Sequence, residues 1–140
     1  MKLARALLVA SVLACGAPVA MAQHAAATQR AAPAADTALL GEYHLEGVME
    51  TGSGLRLKAD GNFDWYFTYG ALDLAARGKW THHGDAVELQ VVEMGFPPQF
   101  PQTKFDRMHL RVEGAKLVPS WPWDMDAFRK GEERGHYIHD

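Results

Sequence analysis

Asp60-Gly61-Asn62-Phe63-Asp64-Trp65-Tyr66-Phe67-Thr68-Tyr69 decides the fold class. Asp-Gly is the strongest short-range hairpin signal, because glycine accepts the positive φ that a tight primed turn requires. After it, Phe63, Trp65, Phe67 and Tyr69 fall on one face and Asn62, Asp64, Tyr66 and Thr68 on the other. That is the period of a strand, written in aromatic residues that favour strands.

The same period runs outward in both directions. Upstream, Leu55 and Leu57 alternate with Arg56 and Lys58. Tyr43 and Leu45 alternate with Glu42, His44 and Glu46 in a strand expected to end near Val48. Thr51-Gly52-Ser53-Gly54 between them reads as a glycine-rich turn. Downstream, Leu72, Leu74, Ala76, Gly78 and Trp80 oppose Asp73, Ala75, Arg77 and Lys79. His82-His83-Gly84-Asp85 turns the chain into Val87, Leu89 and Val91. Pro97, Pro98 and Pro101 remove ladder donors, so the stretch around Phe96 and Phe100 is no central strand. Alternation resumes at Met108, Leu110 and Val112, and Glu113-Gly114 turns into a short strand from Lys116 to Val118. After Trp121-Pro122-Trp123, Asp124 is placed to cap a short helix that Gly131 closes. Short strands at this spacing predict an all-β domain, a small antiparallel barrel or sandwich, with a short helical or irregular C-terminal segment.

The chain of 140 residues has room for one such domain. Its formal net charge of -3 supplies no basic footprint for nucleic acid. Lys2 and Arg5, the apolar run from Ala6 to Ala14, and Ala20-Met21-Ala22 before Gln23 have the three-part layout of a secretory signal, with cleavage expected between Ala22 and Gln23. The expected organisation is a signal peptide over 1–22, a flexible alanine-rich linker over 23–38 and a single β domain over 39–140. The linker lacks Val, Ile, Leu, Phe and any aromatic residue until its end, so it buries too little to offset its ordering entropy. Removing Lys2 and Arg5 from the 14 basic residues leaves 12 against 17 acidic, a mature net charge of -5. No transmembrane span is expected after signal removal. The one cysteine, Cys15, sits in Val12-Leu13-Ala14-Cys15, which resembles the lipobox of bacterial lipoproteins. That implies lipidation at Cys15 as the alternative to a soluble periplasmic or secreted form.

Gly41-Glu42-Tyr43, Leu55 through Phe63, Gly78-Lys79-Trp80 and Gly84-Asp85-Ala86-Val87-Glu88-Leu89 together resemble the small lipocalin-like β-barrel domains of bacterial envelope proteins. Tyr69-Gly70-Ala71-Leu72-Asp73 is similar to a stretch in uncharacterised secreted proteobacterial proteins of this kind. The resemblance covers residues 41–92. It implies a barrel fold and a role that ranges from ligand binding to envelope stress. Its motifs are turn and strand signals, so they speak for fold and leave chemistry open.

Chemistry-bearing motifs are sparse. With the signal removed no thiol remains, and Ser53 lacks the leading glycine of a nucleophile elbow. No phosphate loop, dinucleotide fingerprint or H-E-x-x-H is present. No catalytic residue and no cofactor is expected, and the reading leans away from an enzyme. A carboxylate hydrolase is the third-ranked reading, with Asp73 its best-placed acid. His136-Tyr137-Ile138-His139-Asp140 offers two imidazoles and a carboxylate at metal-like spacing, so a periplasmic metal-binding protein using His136, His139 and Asp140 is the alternative. Otherwise these residues are a solvated chain end. The aromatic residues support the leading reading, a non-enzymatic envelope binding module for a small apolar ligand or a protein partner. Trp65, Phe67, Tyr69 and Trp80 would line a cavity, with Phe96, Phe100, Trp121 and Trp123 at its rim. The ordinary alternative for the stripe is core packing.

Overall fold

The computed structural model describes residues 34–140. The expected signal segment with its Ala22–Gln23 junction, Cys15, and the alanine-rich lead before residue 34 lie outside the described residues.

Eight antiparallel strands form a closed barrel in which every strand pairs with its sequence neighbours and the last pairs with the first. They are β1 (Gly41–Glu46), β2 (Thr51–Leu57), β3 (Asn62–Tyr69), β4 (Leu72–His83), β5 (Ala86–Gly95), β6 (Arg107–Glu113), β7 (Lys116–Pro119) and β8 (His136–His139). Among the described residues two short α-helices accompany them, α1 (Ala34–Thr37) and α2 (Met125–Arg129), with one 3-10 turn at Pro101–Thr103. Closure gives every strand a neighbour on both sides and so removes the free edge strands of an open sheet.

The alternation seen in the sequence becomes the two faces of the wall. On β3, Phe63, Trp65 and Phe67 point inward and are buried, while Tyr66 lies on the outer wall and is half exposed. They register against Leu57, Leu55 and Ser53 of β2. At the hairpin tip Gly61 has φ +80°, and the Asp60 carboxylate accepts from the Asn62 backbone N–H at 2.9 Å and its Nδ2 at 2.8 Å. Thr51-Gly52-Ser53-Gly54 is not the turn its glycines suggest. It runs as the first half of β2, and the glycines serve the neighbouring strand, since a Cβ on Gly54 would meet the Tyr66 ring at 2.4 Å. Gly78 also makes room for a neighbour, because a Cβ there would stand 2.0 Å from the Gln90 carbonyl oxygen. At this point the β4–β5 register shifts, leaving Val92 as an extra, outward residue, a bulge that bends the longest ribbon of the barrel.

The alternating strand directions sort the connections into two ends. One end collects the tight turns at 58–61, 84–85 and 114–115. Trp80 seals it, its Nε1–H donating to the Lys58 carbonyl at 2.9 Å. The last residues of the alanine-rich lead, α1, are fixed beside it by the Asp36 carboxylate at 2.9 Å from His82 Nδ1. Leu39 and Leu40 pack against the core from this side. The other end collects the turns at 47–50 and 70–71 and the two long segments at 96–106 and 120–135. We call it the mouth.

Residues 136–139, whose histidines read as a solvated chain end unless they hold a metal, form the strand that closes the barrel. β8 pairs with β1 over four positions and with β7 over two. It places Tyr137 at 0% exposure on the barrel axis. There Trp65 Nε1–H donates to the Tyr137 hydroxyl at 2.7 Å, Tyr137 bonds Ser53 Oγ at 2.7 Å, and Ser53 donates to the Tyr66 carbonyl at 2.5 Å. An indole can only donate and a carbonyl can only accept, so every proton in this relay has one direction. Burial pushes the Tyr137 hydroxyl well above the ordinary phenol range, so it stays protonated as the relay requires. Among the described residues, no buried polar side-chain atom lacks a partner.

Tyr137→Phe keeps the ring and deletes the middle of the relay, leaving the Trp65 donor and the Ser53 acceptor position unanswered in the core. We expect a loss of about 1–3 kcal/mol in unfolding free energy, measured by urea denaturation, with the far-ultraviolet spectrum unchanged.

A hollow at the barrel mouth

The mouth is partly stoppered by its own long segments. Phe105 comes in from the 96–106 segment and meets Trp65 edge-on, ring centroids 5.3 Å apart. Trp121 comes in from the 120–135 segment and meets Phe67 at 5.4 Å. What stays open is a hollow of about 470 Å³ lined by Gly47, Val48, Met49, Phe67, Trp121, Trp123, Asp124, Glu133 and Arg134.

Each wall has a local cause. Trp121 is fixed by its Nε1–H donating to the Arg134 carbonyl at 2.7 Å, which ties the two ends of the 120–135 segment together. Trp123 then stacks on it, centroids 5.4 Å apart and planes 11° off parallel, and also meets Phe67 at 5.0 Å. Asp124 starts α2, its carboxylate accepting from the Ala127 N–H. Its second oxygen takes the Arg134 Nε–H at 3.2 Å, while Arg134 also reaches Glu132 at 3.0 Å. Asp124 and Arg134 thus answer each other, Glu133 is held by Lys116 and His136, and the aromatic side chains form the apolar part of the lining. Trp123 is 46% exposed although its neighbours Phe67 and Trp121 are buried. Opposite, Met49 is 86% exposed at the tip of the β1–β2 turn. Val48, Met49, Tyr69, Phe100 and Trp123, five of the large apolar side chains that stand exposed, belong to segments at this one end.

The residues singled out from the sequence fall into three groups. Phe67, Trp121 and Trp123 converge on the hollow. Tyr69, Phe96 and Phe100 reach the same end without lining it: Tyr69 leaves the inward row of β3 and is half exposed, Phe100 is exposed, and Phe96 packs against the core. Trp65 and Trp80 are core side chains, the first in the relay with Tyr137 and the second at the sealed end. The hollow these residues line therefore lies at the mouth, above the core side chains, while another of about 410 Å³ lies on the outer wall beside Glu42, His44 and Arg56. Gly47, Val48, Met49 and Arg134 went unnoticed in the sequence. An apolar Val-Met pair at a hairpin tip, where polar residues are the rule, was the available signal.

The C-terminal histidines are separated by their strand. His136 and His139 lie three positions apart on β8, so they project to opposite faces. His136 Nδ1 stands 2.5 Å from Glu133 and His139 Nε2 2.9 Å from the Leu40 carbonyl, while Asp140 meets His44. Among the described residues, no group of three or more His, Cys, Asp or Glu side chains is disposed to hold a metal ion. Asp73 lies on the outer wall of β4, paired in register with Thr68.

Comparison with protein families, with curated proteins and with solved structures found no significant match.

The two stacked indoles are predicted to differ in weight. Trp121→Phe removes the clamp on Arg134 and is expected to cost about 1–3 kcal/mol. Trp123→Phe keeps an aromatic face on a half-exposed site and is expected to cost less than about 0.5 kcal/mol. Urea unfolding of both variants measures the contrast.

Proposed function

We propose that this protein is an exported binding module of the cell envelope that takes a small apolar molecule at the barrel mouth. One observation carries the reading: a concave hollow of about 470 Å³ whose floor and one wall are Phe67, Trp121 and Trp123, with Val48 and Met49 across from them. Small-molecule sites are of this size and composition, roughly 300–1,000 Å³ and mostly apolar. The flat, half-exposed face of Trp123 suits a ring or a stiff hydrocarbon laid parallel to it. The closed eight-stranded meander supports a lipocalin-like reading, in which one end of a barrel is sealed and the other receives the guest.

Export is proposed from the N-terminal sequence: a positive start, an apolar core and Ala20-Met21-Ala22 ahead of Gln23. A lipid at Cys15 would keep the same barrel attached to the envelope.

Titration with N-phenyl-1-naphthylamine, a neutral apolar dye, tests the binding reading. We expect saturable one-to-one fluorescence enhancement with a dissociation constant on the order of micromolar. Trp123→Ala is expected to weaken it roughly fivefold to tenfold while the circular dichroism spectrum stays unchanged. Non-saturating uptake, or equal binding by the variant, would remove the mouth as the site.

A further inference from the structure

The seam that closes the barrel is laced with histidine. β1 and β8 pair Tyr43 with His139, His44 with Ile138 and Glu46 with His136. The two ring nitrogens of His139 each face a main-chain oxygen acceptor, Nε2 at 2.9 Å from Leu40 O and Nδ1 at 2.8 Å from Asp140 O. Such an oxygen can only accept, and a neutral imidazole carries one N–H, so only the doubly protonated ring satisfies both. The site is shaped for that ring. Tyr43 meets it edge-on at 4.8 Å, and Gly41, at φ +137°, leaves the space it fills, since a Cβ there would lie 2.3 Å from Nε2.

His44 repeats the arrangement with carboxylates. Its Nδ1 lies 2.5 Å from Asp140 Oδ1 and its Nε2 3.2 Å from Glu46 Oε1. Again both partners are acceptors, one from each side of the seam. The other charges around these rings are Glu42 and Arg56, which pair with each other, Asp64 across the outer groove, and Glu133, held by Lys116 and His136. Among the described residues, no cation pairs with His44 or His139.

We infer that β8 is a proton-locked strap: the β1–β8 seam is held by the doubly protonated rings of His139 and His44 and loosens when they lose their second protons. The strap is short, and it carries the Tyr137 side chain on which the internal relay depends, so its release is felt inside the barrel as well as at the seam.

The direction of the pH effect follows from linkage. Hydrogen bonding to Asp140 first, then Glu46, holds His44 above the ordinary imidazole range, and the Leu40 carbonyl, then the main-chain oxygen of Asp140, does the same for His139. A group whose folded pKa is raised contributes stability that is fully present below its unfolded pKa of about 6.5 and is lost as pH climbs through the folded one. The seam is therefore tightest in mild acid and relaxes from neutrality upward.

Amide hydrogen exchange of the intact barrel tests this, with β8 protection expressed relative to β3 after correction for intrinsic rates. We expect the ratio to fall severalfold between about pH 5.5 and pH 8.5, and to be low and flat in a His44→Gln, His139→Gln double variant. A pH-independent ratio in the native protein, or the same fall in the variant, would overturn the proposal. Should the variant not fold, imidazole nitrogen resonances of the native protein decide. Midpoints for His44 and His139 above about 6.5 support the strap, and midpoints at or below it reject it.

Discussion

A single line of hydrogen bonds joins the first half of the barrel to its last strand. Trp65 donates to Tyr137, Tyr137 to Ser53 and Ser53 to a backbone carbonyl of β3, the first two bonds buried and the third part-buried. An interior crowded with indole and phenol rings carries polar atoms that are costly unless matched. Here they are matched to one another, and the match exists only when β8 is seated. The aromatic core and the closure of the wall are therefore one event. Large rings fill the axis, their polar edges need partners, and the partners come from the strand that completes the cylinder. The glycines of β2 belong to the same arrangement, for they let Tyr66 lie flat on the outside while Ser53 turns in.

The two ends of the cylinder differ because their connections differ. Among the described residues, the sealed end is covered by its tight turns together with Trp80, α1 and the leucines that follow it. The long segments at the opposite end supply Phe105 and Trp121, which fill the opening only partly, and Trp123, which is stacked but left uncovered. Most of the large apolar side chains that stand exposed gather at this end, with Tyr66 and Val92 on the side wall as the others. The carboxylates and the guanidinium around it are occupied in shaping the segment, with Asp124 capping α2 and bracing Arg134 at once.

How far the sequence was legible depended on range. Period-two alternation located β3 and β4, put Tyr66 outside and Trp65 inside, and led from strand to strand toward a barrel. Asp124 and Gly131 marked α2, because capping and a left-handed stop are written in single residues. β8 escaped notice for a physical reason: His136-Tyr137-Ile138-His139 is four residues long, its two histidines read as solvent-facing, and the pairing with β1 and β7 that makes it a strand is long-range. Thr51-Gly52-Ser53-Gly54 was misleading because its glycines answer a neighbour's ring, which a local reading cannot see. The hollow was half visible. Its aromatic residues stood out, whereas the approach of Val48 and Met49 to Trp123 spans more than seventy positions and leaves no local trace. The same blindness put Trp80 among the candidates, although its place is at the far end.

The order in which the seam is made has a consequence for the chain before it closes. His44 meets Asp140 across 96 positions, and His139 meets Leu40 across 99. The strand that closes the wall against β1 lies far downstream of it, so until β8 is seated the sheet is an open ribbon with bare edges on β1 and β7. Contacts of such long separation also form slowly. Closure therefore rests on the longest-range pairing of the fold, and the open ribbon that precedes it is the form most prone to edge-to-edge association.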